Sequence, residues 1–291
     1  MNRLIERSLE RMSFSALAQV LHAMVALAAL WMLLAPAPAH AAPGVRSVPS
    51  CTKVNVSATI EVAAGATWDG TAVYGKWVCL VGTASNMKGT QSESQIPMFK
   101  LNNGATVKNV VIGDGSLGTG TNLAAGGADG VHCYGVCNIT NVYWADVGED
   151  AATAIKLSGV TSKLTISGGA AFKAADKVFQ HNGDGTLVIS DFYADNVGKL
   201  YRSCGNCSTQ YARKSTITGV RLGTVNAAVI GVNSSYDSKS GIAGQYDVTT
   251  ITDLVYSGSK TKCDTYVGTG KGSEPGKDTS ASNIARSCIF K

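Results

Sequence analysis

Four carboxylates, Asp129, Asp146, Glu149 and Asp150, fall within one short stretch, DGVHCYGVCNITNVYWADVGED. Charged residues are only 15% of this 291-residue chain and its formal net charge is +5, so a local concentration of acid calls for a reason. Two are available: an exposed acidic turn, or a hard cation that gathers several oxygen ligands. Glu149 and Asp150 are adjacent and on a straight strand would point to opposite faces, but at the turn after Gly148 both can face one side. Asp129 precedes them by the length of one coil of a stacked β-structure, so its carboxylate can sit beside theirs. On these residues alone both readings stay open.

A cationic group follows at similar spacing. Lys173 and Lys177 lie in FKAADKVFQHNG, and Lys199 and Arg202 in NVGKLYRSCGNC. Bases stacked next to carboxylates along one side of a solenoid would form a groove with a cation pocket and a basic wall. Such a groove suits a polymer of carboxylate-bearing sugars. Each lysine taken singly reads as a solvated surface residue, Lys173 above all. Nucleic acid is disfavoured as a partner, because no run of Lys and Arg is interleaved with aromatics.

The elements that must carry these residues are short strands. From Pro43 onward almost nothing reads as helix, and Gly, Ser, Thr, Asn and Asp punctuate apolar pieces rich in Val, Ile and Thr. Strands are expected over Thr59 to Val62, Thr71 to Val81, Thr106 to Ile112, Cys137 to Trp144, Lys163 to Ile166, Thr186 to Ile189, Ser215 to Val220 and Thr249 to Tyr256. Several resemble one another, beginning at Val107, Ile139, Leu164, Leu187, Ile217 and Ile251. Loose repeats of this size point to stacked coils, none of which buries its inner face alone. The expectation is an all-β, single-domain parallel β-helix. A sandwich would need two-residue hairpin turns that the longer connections here do not offer. Thr52 to about Trp68 is expected to cap the open N-terminal end, and Thr261 to Lys291 to trail along the outside.

The first residues read as a leader. Arg3, Arg7 and Arg11 precede the apolar run MVALAALWMLL, and Ala39-His40-Ala41 makes an A-x-A cleavage signal. Residues 1–41 are therefore expected to be a signal peptide and 42–291 a secreted domain, with no membrane segment in the mature form. All eight cysteines lie in that second part, an even number that reads as a disulfide set. Nearness in sequence suggests Cys51 with Cys79 and Cys263 with Cys288, while Cys133 and Cys137 read as a loop brace rather than metal ligands. Asn55, Asn138, Asn206 and Asn233 stand in N-x-S/T sequons.

Other chemistry is poorly supported. Gly113 to Gly118 matches G-x-G-x-x-G, but TGTNLAAGGADG after it cannot start the helix that a dinucleotide site requires. No G-x-S-x-G or H-E-x-x-H occurs, and only His132 and His181 remain in the mature part, as structural or substrate-contacting residues.

ADGVHCYGVC, NVYWADVGEDAAT, DKVFQHNG and GKLYRSCGNC together resemble the signature segments of the pectate lyases of polysaccharide lyase family 3. The resemblance spans about Val107 to Arg213. It departs in a longer Gly/Ala-rich loop before Asp129 and in Ala145, where family members often carry an acid; both positions are expected near the groove. It implies a right-handed parallel β-helix that cleaves polygalacturonate by calcium-dependent β-elimination. It also implies calcium ligands at Asp129, Glu149 and Asp150, and catalytic or substrate-binding cations at Lys177, Lys199 and Arg202. Removal of the C5 proton needs a base, and a lysine becomes one when a neighbouring cation or burial lowers its pKa. Lys177 is the expected base, Arg202 the competing one, with Lys199 and Arg202 on uronate carboxylates. The protein is expected to act as a monomer on pectin. Two alternatives remain: a β-helical hydrolase with two carboxylic acids flanking the bond, and a non-catalytic polysaccharide-binding or adhesin protein.

Overall fold

A computed structural model describes residues 42–116 and 126–291. The expected leader over 1–41 lies outside them, as does the end of the Gly113 to Gly118 match. The described part of that match is a loop in which the Asp114 carboxylate accepts from the Ser116 amide and hydroxyl.

The chain alternates between two long sheets, which makes it a parallel β-helix. In the first sheet Thr52–Val56, Val78–Gly82, Ala105–Ile112, Val136–Trp144, Lys163–Phe172, Thr186–Asp195, Lys214–Leu222, Val248–Val255 and Cys288–Phe290 follow one another, and Thr67–Asp69 pairs with Ala105–Ile112. In the second, Ile60–Val62, Phe99–Leu101, Val131–Tyr134, Ala152–Ile155, Lys177–His181, Lys199–Ser203, Ala228–Tyr236 and Thr261–Gly268 stack in parallel. Gly276–Lys277 closes that sheet as an antiparallel strand.

Between the sheets lies the core. One aliphatic residue per coil stacks in register through Val107, Ile139, Ile166, Ile189, Ile217 and Ile251. All six are buried. The sequence repeat set Leu164 and Leu187 in this ladder, but the structure sets Ile166 and Ile189 there; the error of two residues keeps the same face because side chains alternate along a strand. Trp144, Phe179 and Phe192 pack edge to face in the middle of the stack, at centroid separations of 5.1 to 6.3 Å.

Each long strand of the first sheet turns a corner at a residue of positive φ: Asn109, Asn141, Gly168 (followed by Gly169, also positive), Asp191, Gly219 and Asp253. Only Gly, Asn and Asp enter the left-handed region at small cost, and no other residue type takes this place. The asparagines also bond along the stack, Asn141 Nδ2 donating to Asn109 Oδ1 at 2.9 Å and Asn109 Nδ2 to Asp69 Oδ1 at 3.0 Å.

Several local expectations change. Thr71 to Val81 is not one strand: the Asp69 carboxylate caps a short helix, Gly70–Tyr74, by accepting from the Thr71 and Ala72 amides, and the strand begins at Val78. Thr52–Val56 and Ile60–Val62 form the first strands of the two sheets rather than a separate cap. The C-terminal segment does not trail outside, since Thr261–Gly268 is the last coil of the second sheet and Cys288–Phe290 adds a strand to the first. Between them helix Ala281–Ser287 packs Ile284 against the core. The disulfides are Cys51–Cys79, Cys133–Cys137, Cys204–Cys207 and Cys263–Cys288. Both end pairings and the brace at Cys133 agree with the reading from sequence.

Candidate active site

The second sheet carries the chemistry. Its register aligns Val131 with Ala152, Ala152 with Phe179, and Phe179 with Tyr201. Two residues before each of these stand Asp129, Asp150, Lys177 and Lys199, an entry column of two acids followed by two bases. A second column, His132, Thr153, Gln180 and Arg202, aligns coil for coil three residues later. Simple alternation would put residues three apart on opposite faces. Here the intervening pairs, Gly130-Val131, Ala151-Ala152, Val178-Phe179 and Leu200-Tyr201, are all buried, so both flanking positions emerge on the same side. All eight residues of the two columns line one open groove of about 520 Å³, together with Glu93, Glu149, Asp176, Asn182, Tyr266 and Glu274.

Within the acidic coils the second column steers the first. His132 Nε2 lies 2.9 Å from Asp129 Oδ2, and the Thr153 hydroxyl donates to Asp150 Oδ2 at 3.2 Å. Gly130 lets these coils approach, because its φ is +49° and a Cβ there would meet Ala151 O at 2.1 Å. Asp129 Oδ1 and Asp150 Oδ1 are buried without a hydrogen-bond partner. Burial, with Glu149 and Asp129 adding to it, pushes the Asp150 carboxyl well above the usual carboxylate range despite Lys177.

An ammonium now holds this pocket. Lys177 Nζ stands 3.1 Å from Glu149 Oε1, Asp150 Oδ1 and Asp176 Oδ2. The Asp150 contact is an ion pair without hydrogen-bond alignment. Burial works against the charge on Lys177, but Asp150, Glu149 and Asp176 outweigh it and hold its pKa above that of an ordinary lysine. The expectation that a neighbouring cation lowers Lys177 is thus not met as the side chains stand: Lys199 is its in-register neighbour, but Asp176 bridges the two, at 3.3 Å from Lys199 Nζ.

Arg202 has a different setting. Burial lowers its pKa, it donates to Asn233 Oδ1 at 3.3 Å, and its guanidinium lies 4.1 Å from the Tyr266 ring centroid. The Cys204–Cys207 disulfide closes the loop that brings Gly205 and Asn206 to the groove wall.

Other candidates separate from the site. Asp146, buried and at 3% exposure, does not line the groove; burial pushes its carboxyl up to about 7 against the pull of Lys173. Lys173 is likewise absent from the lining, at a φ of +60° after the first-sheet strand. Ala145 packs with Cys79 and Val111, not at the groove where the family departure suggested it. His181 is fully buried and structural: its Nδ1 lies 3.0 Å from the Tyr201 hydroxyl and its Nε2 3.1 Å from Asp184 O, and burial drives its pKa down to about 3. Asn233 has no exposed surface, so its sequon is closed in the folded chain. Glu93 escaped the reading from sequence; the Glu149 charge and then burial raise its pKa.

Whether a cation fits can be judged from the donors. Among the described residues no three His, Cys, Asp or Glu side chains are already gathered around a metal position. Yet two buried carboxylate oxygens that accept no hydrogen bond, Asp129 Oδ1 and the ion-paired Asp150 Oδ1, together with Glu149 and with a lysine ammonium between two of the acids, are a hard oxygen donor set that suits a hard cation.

A family model described as pectate lyase matches residues 45–273. The chain belongs to the pectate lyase family. It is 38% identical over 222 residues to a protein named probable pectate lyase F of Aspergillus terreus, covering 76% of this chain and 83% of that one. Pectate lyase H of Emericella nidulans is 38% identical over 217 residues, 74% and 72% of the two chains. Among solved structures, the catalytic domain of pectate lyase PelI from Erwinia chrysanthemi superposes with a TM-score of 0.56 at 29% identity, covering 82% of this chain and all of that one. The same enzyme in complex with tetragalacturonic acid gives 0.57 at 31%, over 81% and 68%. As a pectate lyase this chain is an enzyme of a family that acts on polygalacturonate. The hydrolase and adhesin alternatives fall away with that membership.

Proposed function

We propose that this pectate lyase is a secreted, monomeric, calcium-dependent enzyme whose mature domain spans 42–291 and which cleaves polygalacturonate by β-elimination in the two-column groove. The observation that carries this reading is the alignment of acids and bases on successive coils of one sheet. Asp129, Glu149 and Asp150 would hold calcium. Such an ion would supply Lewis-acid chemistry toward the uronate carboxylate, and Glu149 and Asp150, two of the three acids that keep Lys177 charged, would then be engaged as its ligands.

Lys177 is the proposed base for the C5 proton. Burial is the largest single influence on it and favours the neutral amine, so its availability depends on the acids being otherwise engaged. Lys199 and Arg202, one coil on, bind uronate carboxylates, Arg202 through a planar fork matched to a carboxylate. Charge building on the uronate as Lys177 takes the C5 proton is met by these cations, and the electron pair left at C5 forms the C4–C5 double bond as the C4–O bond breaks and the departing glycosidic oxygen takes a proton from solvent. Arg202 is the rival base, since burial lowers its pKa while its neutral partner Asn233 adds no charge.

The test is polygalacturonate incubated with and without a chelator while ultraviolet absorbance is followed. An absorbance rise that chelation abolishes and calcium restores supports the proposal; a rise that persists under chelation overturns the calcium site. In single variants, loss of turnover in Arg202→Ala with most activity kept in Lys177→Ala would reverse the base assignment.

A further inference from the structure

Beneath Arg202 lies a buried polar network that the proposed reaction does not use. Asp247 is almost fully buried; its Oδ1 accepts from the Arg213 amide at 2.9 Å and lies 2.7 Å from the Tyr236 hydroxyl, and its Oδ2 accepts from the Ser203 hydroxyl and from the Asn233 amide at 3.0 Å. The Asn233 side chain, with no exposed surface, reaches from this network to Arg202. Its Nδ2 donates to Cys204 O at 2.9 Å and lies 3.2 Å from both the Ser203 and Tyr236 hydroxyls. A backbone carbonyl only accepts, so Nδ2 must face Cys204 and Oδ1 must face Arg202 Nη1. The rest of the guanidinium is confined by shape. Gly231 is its in-register neighbour, and a Cβ there would meet Arg202 Cδ at 2.8 Å; one on Gly205 would meet Nη2 at 2.6 Å. Tyr266 covers the ring-facing side.

We propose that Asn233 is a positioning residue for Arg202: a neutral acceptor, locked in one orientation, that aims the guanidinium into the groove without cancelling its charge. The proposal rests on Arg202 binding a substrate carboxylate. An aspartate here would keep the shape and place a competing anion in direct contact with the cation, whereas the amide adds none to the more distant Asp247 and Asp176. Gly231 completes the device, since the arginine can lie over the next coil only where that coil has no side chain.

The test is a cycle of four proteins, wild type, Asn233→Asp, Arg202→Ala and the double variant, with kcat and KM on polygalacturonate. Asn233→Asp is expected to raise KM on the order of tenfold, as loss of one charge-assisted bond would, and to add nothing in the Arg202→Ala background. A wild-type KM, or the same KM rise with and without Arg202, overturns the proposal; the second result marks a merely structural role. Arg202→Ala with wild-type kcat/KM would instead remove the reading on which it rests, and is visible in that variant alone. Should Asn233→Asp not fold, Gly231→Ala carries the test, because it displaces Arg202 without touching the network, and an unchanged KM there overturns the proposal.

Discussion

The two sheets of this helix, of ten and nine strands, obey different rules. Along the first, one aliphatic residue per coil stacks from Val107 to Ile251 and the outward neighbours are small and polar, such as Thr140, Ser167, Ser190 and Thr218. Along the second, two successive buried residues separate outward pairs, and those outward positions are acids, bases, a histidine, a threonine and an amide. The first sheet invests in alternation and so in burial. The second gives up alternation, and thereby brings to the groove side two residues per coil that a regular strand would turn to opposite faces.

If this division is real, second-sheet outward substitutions should remove activity and leave stability nearly intact. Lys177→Ala and Arg202→Ala are each expected to lower kcat/KM by about 10²–10⁴-fold, the range for a lost proton acceptor or charge stabiliser. Thermal unfolding midpoints should stay close to wild type, and a collapse of either variant's midpoint would break the comparison. Asp150→Asn should raise the calcium concentration for half-maximal activity by at least about tenfold, because a site's affinity follows its ligand charge; titration of activity with calcium checks it. The converse falls on the first sheet. Ile189→Ala, which opens a cavity in the middle of the ladder, should cost about 2–5 kcal/mol in denaturant unfolding while kcat at a permissive temperature is kept.

The smallest effect sharpens the comparison by pH. Burial pushes the Asp146 carboxyl up to about 7, against about 3.9 in an unfolded chain. The folded protein then keeps a proton that the unfolded chain releases. The stability this contributes is complete below about pH 4 and is lost as pH rises through about 7. Asp146→Asn should flatten that decline in the thermal midpoint, and should leave the pH profile of kcat/KM unchanged because Asp146 is not in the groove. A shifted activity profile would tie this carboxylate to the site after all.

The same contrast explains what could be read from the sequence. The inner first-sheet strands announced themselves as alternating Val, Ile and Thr runs with only their ends and a frame of two residues misjudged, whereas the helix Gly70–Tyr74 read as strand and the end strands Thr52–Val56 and Cys288–Phe290 read as cap and tail. None of the six second-sheet strands from Val131–Tyr134 to Thr261–Gly268 stood out, because Lys177-Val-Phe-Gln180 and Lys199-Leu-Tyr-Arg202 have neither the strand nor the helix period. The acids and bases were still legible through their spacing and family segments. What stayed hidden were residues brought in by distant chain: Glu93 from the turn region ahead of Phe99, and Tyr266 and Glu274 from a C-terminal segment that looks like a tail. Asn233 looked only like a sequon, since nothing local shows that Asp247 and Cys204 would fix its amide. Its one sequence signal is the run of small and polar residues, GVNSS, in an otherwise apolar strand.

The corner residues of positive φ also set a measure. From Asn141 to Asp150, Gly168 to Lys177, Asp191 to Lys199, and Gly219 to Ala228 the chain runs a nearly fixed length, whereas the return paths to the next corner differ widely. Differences in coil length thus fall on one side of the coil and not on the other. The exception is the path from Asn109 to Asp129, whose surplus contains residues 117–125. For engineering, this makes the return loops the places to graft new segments, and makes the stretch between corner and groove a ruler that any recombined coil must match to the residue.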